Sequence, residues 1–205
     1  RENQMLTSQQ LGKNTGLRVS KLCLGTMNFG EPGRGHQGDW TLGVDDARPI
    51  FQAAIEHGLN YFDCADIYGV GASEIVVGQL LKELLPRDEY VLTTKVSMPM
   101  GRAPNQGGLS RKHIMEGVDQ SLKRLGHDYV DQLIIHRHPH GIPSQAQTPI
   151  EETMEALNDV VKAGKALYLG ASSMFSWQFA ELQMTAEHNG WTKFISMQNH
   201  LNLIY

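Results

Sequence analysis

Asp131-Gln132-Leu133-Ile134-Ile135-His136 is a short segment whose apolar run breaks off at a histidine. A run of this length reads as a strand buried on both faces. Five other segments have the same form. Leu22-Cys23-Leu24-Gly25 leads into Thr26 and Met27. Asn60-Tyr61-Phe62-Asp63 ends in an acid and is followed by Tyr68. Tyr90 to Val96 carries Lys95, Ala166 to Ala171 leads into Ser172 and Ser173, and Phe194 to Gln198 ends in Gln198. Helical patterns separate these segments, and strict alternation argues for a parallel sheet. Reactive side chains at the C-terminal ends of successive strands are the arrangement of a barrel active site. An open doubly wound sheet is the alternative. It would gather its functional residues at one switch point, and no G-x-G-x-x-G follows the first strand here. The fold class expected is therefore α/β, a (β/α)8 TIM-type barrel.

Working outward, residues 6–20 read as an N-terminal β-hairpin around the turn Gly12-Lys13-Asn14-Thr15-Gly16. A Gly-rich loop runs from Met27 to Gly43. Helices are expected from near Asp45 to Gly58, with Pro49 in or just beyond the first turn, and from near Ser73 to before Pro86. A third follows Ser110, a natural N-cap, and ends at Gly126. Thr148-Pro149-Ile150-Glu151 reads as a capping box with proline at the first helical position, opening a helix that runs to Gly164. A fifth runs from Ser176 to Gly190. A closed eightfold barrel typically takes about 250 residues, whereas six strands and five helices use up the 205 present. Residues 1–205 thus read as one barrel domain truncated after strand six, with two C-terminal βα units absent. Two strand edges are left unpaired, which favours self-association.

The chain is 40% hydrophobic and 20% charged, ordinary values for a globular core. A net charge of -4 without a Lys/Arg block argues against nucleic acid. No run approaches the roughly 18 apolar residues of a membrane span, and Arg-Glu-Asn-Gln-Met-Leu is too polar for a signal peptide. Cys23 and Cys64 lie in apolar stretches and read as reduced core residues of a cytoplasmic protein.

The chemistry centres on Asp63, Tyr68 and Lys95. A phenol ordinarily titrates near about pH 10; a neighbouring ammonium makes its proton easier to give up, and a buried ammonium needs a carboxylate partner. Asp63 and Lys95 end adjacent strands and could meet in the mouth, with Tyr68 beside them as general acid. The plain alternative is a buried structural Asp–Lys pair beside an ordinary loop tyrosine. His136 could hold a substrate oxygen as a neutral imidazole. The cluster His136, His138 and His140 lacks the acids or cysteines that would complete a metal site, so no metal is expected.

Phe62-Asp63-Cys64-Ala65-Asp66-Ile67-Tyr68-Gly69, Thr93-Thr94-Lys95, Ile135-His136, Gly170-Ala171-Ser172-Ser173 and Met197-Gln198-Asn199 together resemble the aldo-keto reductase family. Leu109 to Ile114 and Asn199 to Tyr205 resemble its branch of fungal aryl-alcohol dehydrogenases and potassium-channel β subunits. The resemblance implies NADPH-dependent reduction of an aldehyde or ketone. Asp63, Tyr68, Lys95 and His136 would be catalytic. Ser172, Ser173 and Gln198 would hold the nicotinamide carboxamide, Asp63 would also border the cofactor, and Gly25, Thr26 and Met27 would lie beside the ring. The loops 27–43 and 137–147 would line the pocket. The second reading is a non-catalytic cofactor-sensing or scaffold subunit like the channel β subunits; a third is an inactive truncated product.

Overall fold

The computed structural model describes residues 7–141 and 148–204. Leu6, the loop stretch 142–147 and Tyr205 lie outside the described residues. The hairpin is β1 (Ser8–Gln10) and β2 (Arg18–Ser20), antiparallel with Gln9 opposite Val19. The main sheet is β3 (Leu24–Gly25), β4 (Tyr61–Asp63), β5 (Val91–Val96), β6 (Val130–Ile135), β7 (Ala166–Ser172) and β8 (Phe194–Gln198). These six pair in chain order, every pair parallel. Between them run α1 (Val44–Glu56), α2 (Ala72–Leu84), α3 (Arg111–Leu125), α4 (Ile150–Lys162) and α5 (Ser176–Asn189).

The sheet curls. Flat parallel strands sit about 4.8 Å apart, so β4 and β8, four places apart, would be separated by roughly 19 Å. Yet Gln198 Nε2 on β8 lies 3.1 Å from Asp63 Oδ2 on β4. Only a sheet rolled toward a barrel permits that contact. This is a truncated (β/α) barrel preceded by an antiparallel hairpin, as the strand–helix rhythm implies.

The central strands β5 and β6 are buried at every position, polar Thr93, Thr94, Lys95, Asp131 and Gln132 included. Outside the sheet, Phe51 of α1 stacks on Phe62 of β4 at 5.6 Å, and Tyr90 meets Phe62 edge-on at 6.4 Å. α2 and α3 approach until a Cβ on Gly78 would sit 2.0 Å from the Leu125 carbonyl oxygen. Glycine is required there for space rather than for an unusual backbone angle.

Several local expectations hold. Ser110 caps α3 by accepting from the His113 amide, and Gly126 and Gly190 close α3 and α5 in the left-handed conformation. Three need correction. The Thr148–Glu151 capping box does not form: Pro149 itself is the N-cap and no side chain caps α4. The Thr148 carbonyl instead faces His140 Nε2 at 3.1 Å. The first barrel strand is not buried: Leu22 is exposed, and among the described residues β3 pairs with β4 alone. For the same reason Cys23 is an exposed free thiol, whereas Cys64 is buried as expected.

Candidate active site

Asp63 is the last residue of β4 and stands in register with Thr93 of β5. Successive strand residues face opposite ways, so Thr93 and Lys95 share one face while Thr94 takes the other. On the inner face, Thr93 Oγ1 donates to Asp63 Oδ1 at 2.7 Å and Lys95 Nζ to Asp63 Oδ2 at 2.8 Å. Lys95 Nζ also donates to the Cys64 carbonyl at 2.8 Å and the Tyr68 hydroxyl at 3.3 Å. An ammonium has three donors, and each has an acceptor here. Lys95 is 1% exposed and cannot turn to water. Tyr68 is delivered by a tight turn in which its amide donates to the Ala65 carbonyl, and the Ser73 amide in turn donates to the Tyr68 carbonyl.

The charges follow from this packing. Burial works against the Lys95 ammonium, but Asp63 and Tyr68 outweigh it and lift its pKa above the ordinary value. Burial also raises the Tyr68 phenol; Lys95 opposes that shift, as the sequence implies, without overcoming it. Tyr68 is therefore a neutral phenol that keeps its proton, held against a fixed ammonium. His136, on the residue after β6, meets the Tyr68 ring edge-on at 6.0 Å between centroids. Burial, then Lys95 and Arg137, push its pKa down to about 4. The imidazole is neutral at pH 7, and its buried Nδ1 has no partner within the protein.

At the ends of β7 and β8, Ser172 Oγ lies 3.1 Å from Ser173 Oγ. The Ser173 amide donates to the Gln198 carbonyl at 3.0 Å, and Ser173 itself takes a left-handed φ of 52°. A carboxamide presents one acceptor oxygen and an NH2 donor. Two hydroxyls and a primary amide on adjacent strand ends match that inventory, so these residues fit a nicotinamide. The Gln198 amide nitrogen is engaged with Asp63, which brings the expected cofactor contact and the expected catalytic acid into one network. Thr26 meets the backbone of Asp63 rather than its carboxylate. It is fully buried, its hydroxyl donates to the Asp63 carbonyl at 3.0 Å, and its amide bonds the same oxygen. It ties β3 to β4. Gly25 and Met27 are exposed beside it.

Two members of the histidine cluster stay together, the His138 and His140 rings meeting edge-on at 5.3 Å, and His136 turns away from them. His138 is buried, its Nδ1 accepts from the His140 amide at 3.2 Å, and its ring packs on Trp177 at 6.3 Å, while His136 faces Tyr68. Among the described residues, no group of three His, Cys, Asp or Glu is placed to hold a metal.

The sequence did not single out Thr93, Asp66, Glu74 or Arg124. Thr93 shares a face with Lys95 by period two, a signal that was available. Glu74 is fully buried on the outer side, where it accepts from Thr94 Oγ1 at 2.5 Å and Arg124 Nε at 2.6 Å. Nothing local marks that contact, because fifty residues separate its partners.

A curled parallel sheet thus carries an Asp–Lys–Tyr set and a neutral histidine at its strand ends. The comparisons give it a family. The family model described as "Aldo/keto reductase family" matches residues 21–204, and the chain belongs to that family. It is 44% identical to the versiconal hemiacetal acetate reductase of Aspergillus parasiticus, over 93% of this chain and 58% of that protein. It is 42% identical to a Schizosaccharomyces pombe protein named as an aryl-alcohol dehydrogenase, over 94% of this chain and 59% of the other. Identity to the aldo-keto reductase AMT2 of Alternaria alternata is 41%, over 94% of this chain and 56% of the relative. The chain thus spans somewhat under three fifths of the length of these relatives.

Proposed function

We propose that the protein of which this chain forms the barrel mouth reduces an aldehyde or ketone to an alcohol, with NADPH as donor. The observation that carries the reading is the single network joining Gln198, Asp63, Lys95 and Tyr68. The nicotinamide, when bound, supplies the reducing hydride. Ser172, Ser173 and Gln198 would hold its carboxamide. Asp63 fixes the Lys95 ammonium, and Lys95 fixes the Tyr68 hydroxyl. Tyr68 keeps its proton until the carbonyl oxygen takes on negative charge, then gives it up beside a cation that stabilises the phenolate left behind. His136, neutral and with an unpartnered nitrogen, orients the same oxygen. A proton-bearing phenol held beside a buried ammonium at the mouth suits general acid catalysis, and it is the Tyr68→Phe test below that separates this from the sensing or scaffold reading.

NADPH rather than NADH rests on the family resemblance. A cytoplasmic setting is supported by two free thiols, and no helix among the described residues is long and apolar enough to cross a membrane.

The test is NADPH oxidation by the full-length protein with aromatic aldehydes. Aldehyde-dependent oxidation that disappears in Tyr68→Phe is the expected result. A full-length protein that binds NADPH yet turns over no aldehyde or ketone would leave the sensing reading standing instead.

A further inference from the structure

Thr93 touches the inner network, and carbonyl reduction as set out above gives it no part. It lies two residues before Lys95 on the same face of β5 and is fully buried. Three donors converge on the Asp63 carboxylate. Thr93 Oγ1 holds Oδ1 at 2.7 Å, while Lys95 Nζ at 2.8 Å and Gln198 Nε2 at 3.1 Å share Oδ2. An ionised carboxylate only accepts, so the Thr93 hydroxyl is the donor. Its place is set by the sheet. Thr93 stands in register with Asp63, and its carbonyl accepts from the Cys64 amide at 3.0 Å. A β-branched side chain on a strand has few rotamers in which to turn away.

A carboxylate held at one oxygen can still turn about its last bond; one held at both cannot. The donors on Oδ2 do not fix Asp63 by themselves. Gln198 is exposed at the end of β8 and is the residue expected to hold the nicotinamide carboxamide, so its amide can be drawn off. Lys95 is the group whose position is to be set. Thr93, sealed from water, is the fixed point. From Asp63 the placement passes on: Lys95 Nζ spends its other donors on the Cys64 carbonyl at 2.8 Å and the Tyr68 hydroxyl at 3.3 Å. Thr94 makes the matching bond on the outer face, donating to Glu74 at 2.5 Å, and Glu74 leads only to Arg124. The same side-chain chemistry thus ends in a phenol on one face and in packing on the other.

We propose that Thr93 is a positioning residue for proton delivery: its hydroxyl locks the Asp63 carboxylate, and Asp63 then keeps the Lys95 ammonium on the Tyr68 oxygen. Thr93 touches neither the carbonyl nor the cofactor, and it acts through Asp63 and Lys95. Without the hydroxyl, Asp63 turns, Lys95 follows it, and the phenol loses the cation that steadies its departing proton. Displacing a reacting group by about 1 Å can cost about 10²-fold in rate, so the loss falls on turnover rather than on cofactor binding. The assignment rests on the reductase reading and names a further residue that reading needs.

The experiment uses full-length protein, with benzaldehyde as substrate and saturating NADPH. Thr93→Val keeps the shape and removes the hydroxyl; kcat should fall by roughly 10–100-fold, while the NADPH Kd from fluorescence titration hardly moves. Thr93→Ser returns the hydroxyl and should bring kcat back close to that of the unaltered protein. Crystal structures should show the Asp63 carboxylate turned and Lys95 Nζ drawn off the Tyr68 hydroxyl in Thr93→Val, with both in place in Thr93→Ser. A lower melting temperature with kcat per folded molecule unchanged would make Thr93 a packing residue and overturn the proposal. So would a Thr93→Ser variant as slow as Thr93→Val, a loss that appears in NADPH affinity instead of kcat, or Asp63 and Lys95 unmoved in the Thr93→Val crystal. Should Thr93→Val fail to fold, Thr93→Ala is read by the same criteria. If the unaltered protein turns over no carbonyl compound, the reductase reading fails by itself, and the crystal structures still decide whether Thr93 sets Asp63 and Lys95.

Discussion

Thr94 and Lys95 are neighbours in β5, and each belongs to a buried acid–base cluster on its own side of the sheet. Inside, Lys95 pairs with Asp63 at 2.8 Å; outside, Arg124 pairs with Glu74 at 2.6 Å, with the Thr94 hydroxyl on the same carboxylate. In charge and distance the two pairs are alike. They differ in which partner reaches the surface. Inside, the cation is sealed at 1% exposure and the acid is 11% exposed, so the network ends in Asp63, Tyr68 and His136 at the mouth. Outside, the acid is sealed at 0%, and the 20% exposed guanidinium lies along α3. A buried pair can do chemistry only where a third, proton-bearing group stands between it and an open space. The inner pair has Tyr68 there; the outer pair is enclosed between helices and serves packing.

That contrast can be broken by substitution, measured on the full-length protein. The largest effect is expected inside. Tyr68→Phe keeps the ring and removes the proton, so carbonyl reduction should fall by about 10²–10⁴-fold. Cofactor affinity and melting temperature should hardly move. Near-normal turnover in steady-state assays would make the inner pair as structural as the outer one.

The outer pair should behave in the opposite way. Glu74→Ala leaves a guanidinium largely buried without its acid. The cost in unfolding free energy should be about 3 kcal/mol, the low end for breaking a buried pair, because Arg124 can partly reach water. Denaturant titration reads this, and kcat per folded molecule should stay the same. A fall in kcat at unchanged stability would show that the outer pair reaches into the mouth.

Gly78→Ala sharpens the same point without touching charge. The added methyl would meet the Leu125 carbonyl, so α2 and α3 must part, at a cost of roughly 1–3 kcal/mol. A neutral effect in thermal melting would mean that the outer layer is looser than the Gly78–Leu125 approach implies.

The smallest effect concerns pH. His136 titrates at about 4 in the folded protein against an ordinary 6.5. Between those values the unfolded chain binds more protons than the folded one, so stability rises with pH there. The contribution of neutral His136 is fully present above pH 6.5 and is lost as pH falls toward 4. In kcat/KM this residue should therefore produce no inflection between about pH 5.5 and 8. An inflection near 6.5 that disappears in His136→Gln would place the imidazole in water rather than against Tyr68.

The sequence revealed the inner cluster far better than the outer one. Asp63, Lys95 and His136 each terminate or nearly terminate an apolar run, and a barrel collects strand ends at one mouth whatever the loops do. Glu74 and Arg124 sit in ordinary amphipathic helices where charges are common and usually solvated, so only the packing of α2 on α3 picks them out. The capping box failed for a related reason. Its four-residue pattern is present, but Pro149 takes the cap position and the Thr148 carbonyl is drawn to His140 Nε2. Cys23 and Leu22 look like core because they lie in an apolar run, whereas the burial of a strand depends on what packs against it.

By itself, then, the sequence determined the order and type of the elements, the parallel sheet and the mouth at which its reactive residues gather. These follow from periodicity and strand polarity, which are local properties of the chain. Only the tertiary structure decided that Thr26 bonds the Asp63 backbone, that Gln198 reaches across to Asp63, that burial outweighs Lys95 in setting the Tyr68 proton, and that Glu74 is sealed against Arg124 and Thr94. Each of these depends on distance and desolvation between segments remote in sequence, and neither is encoded in any local pattern of residues.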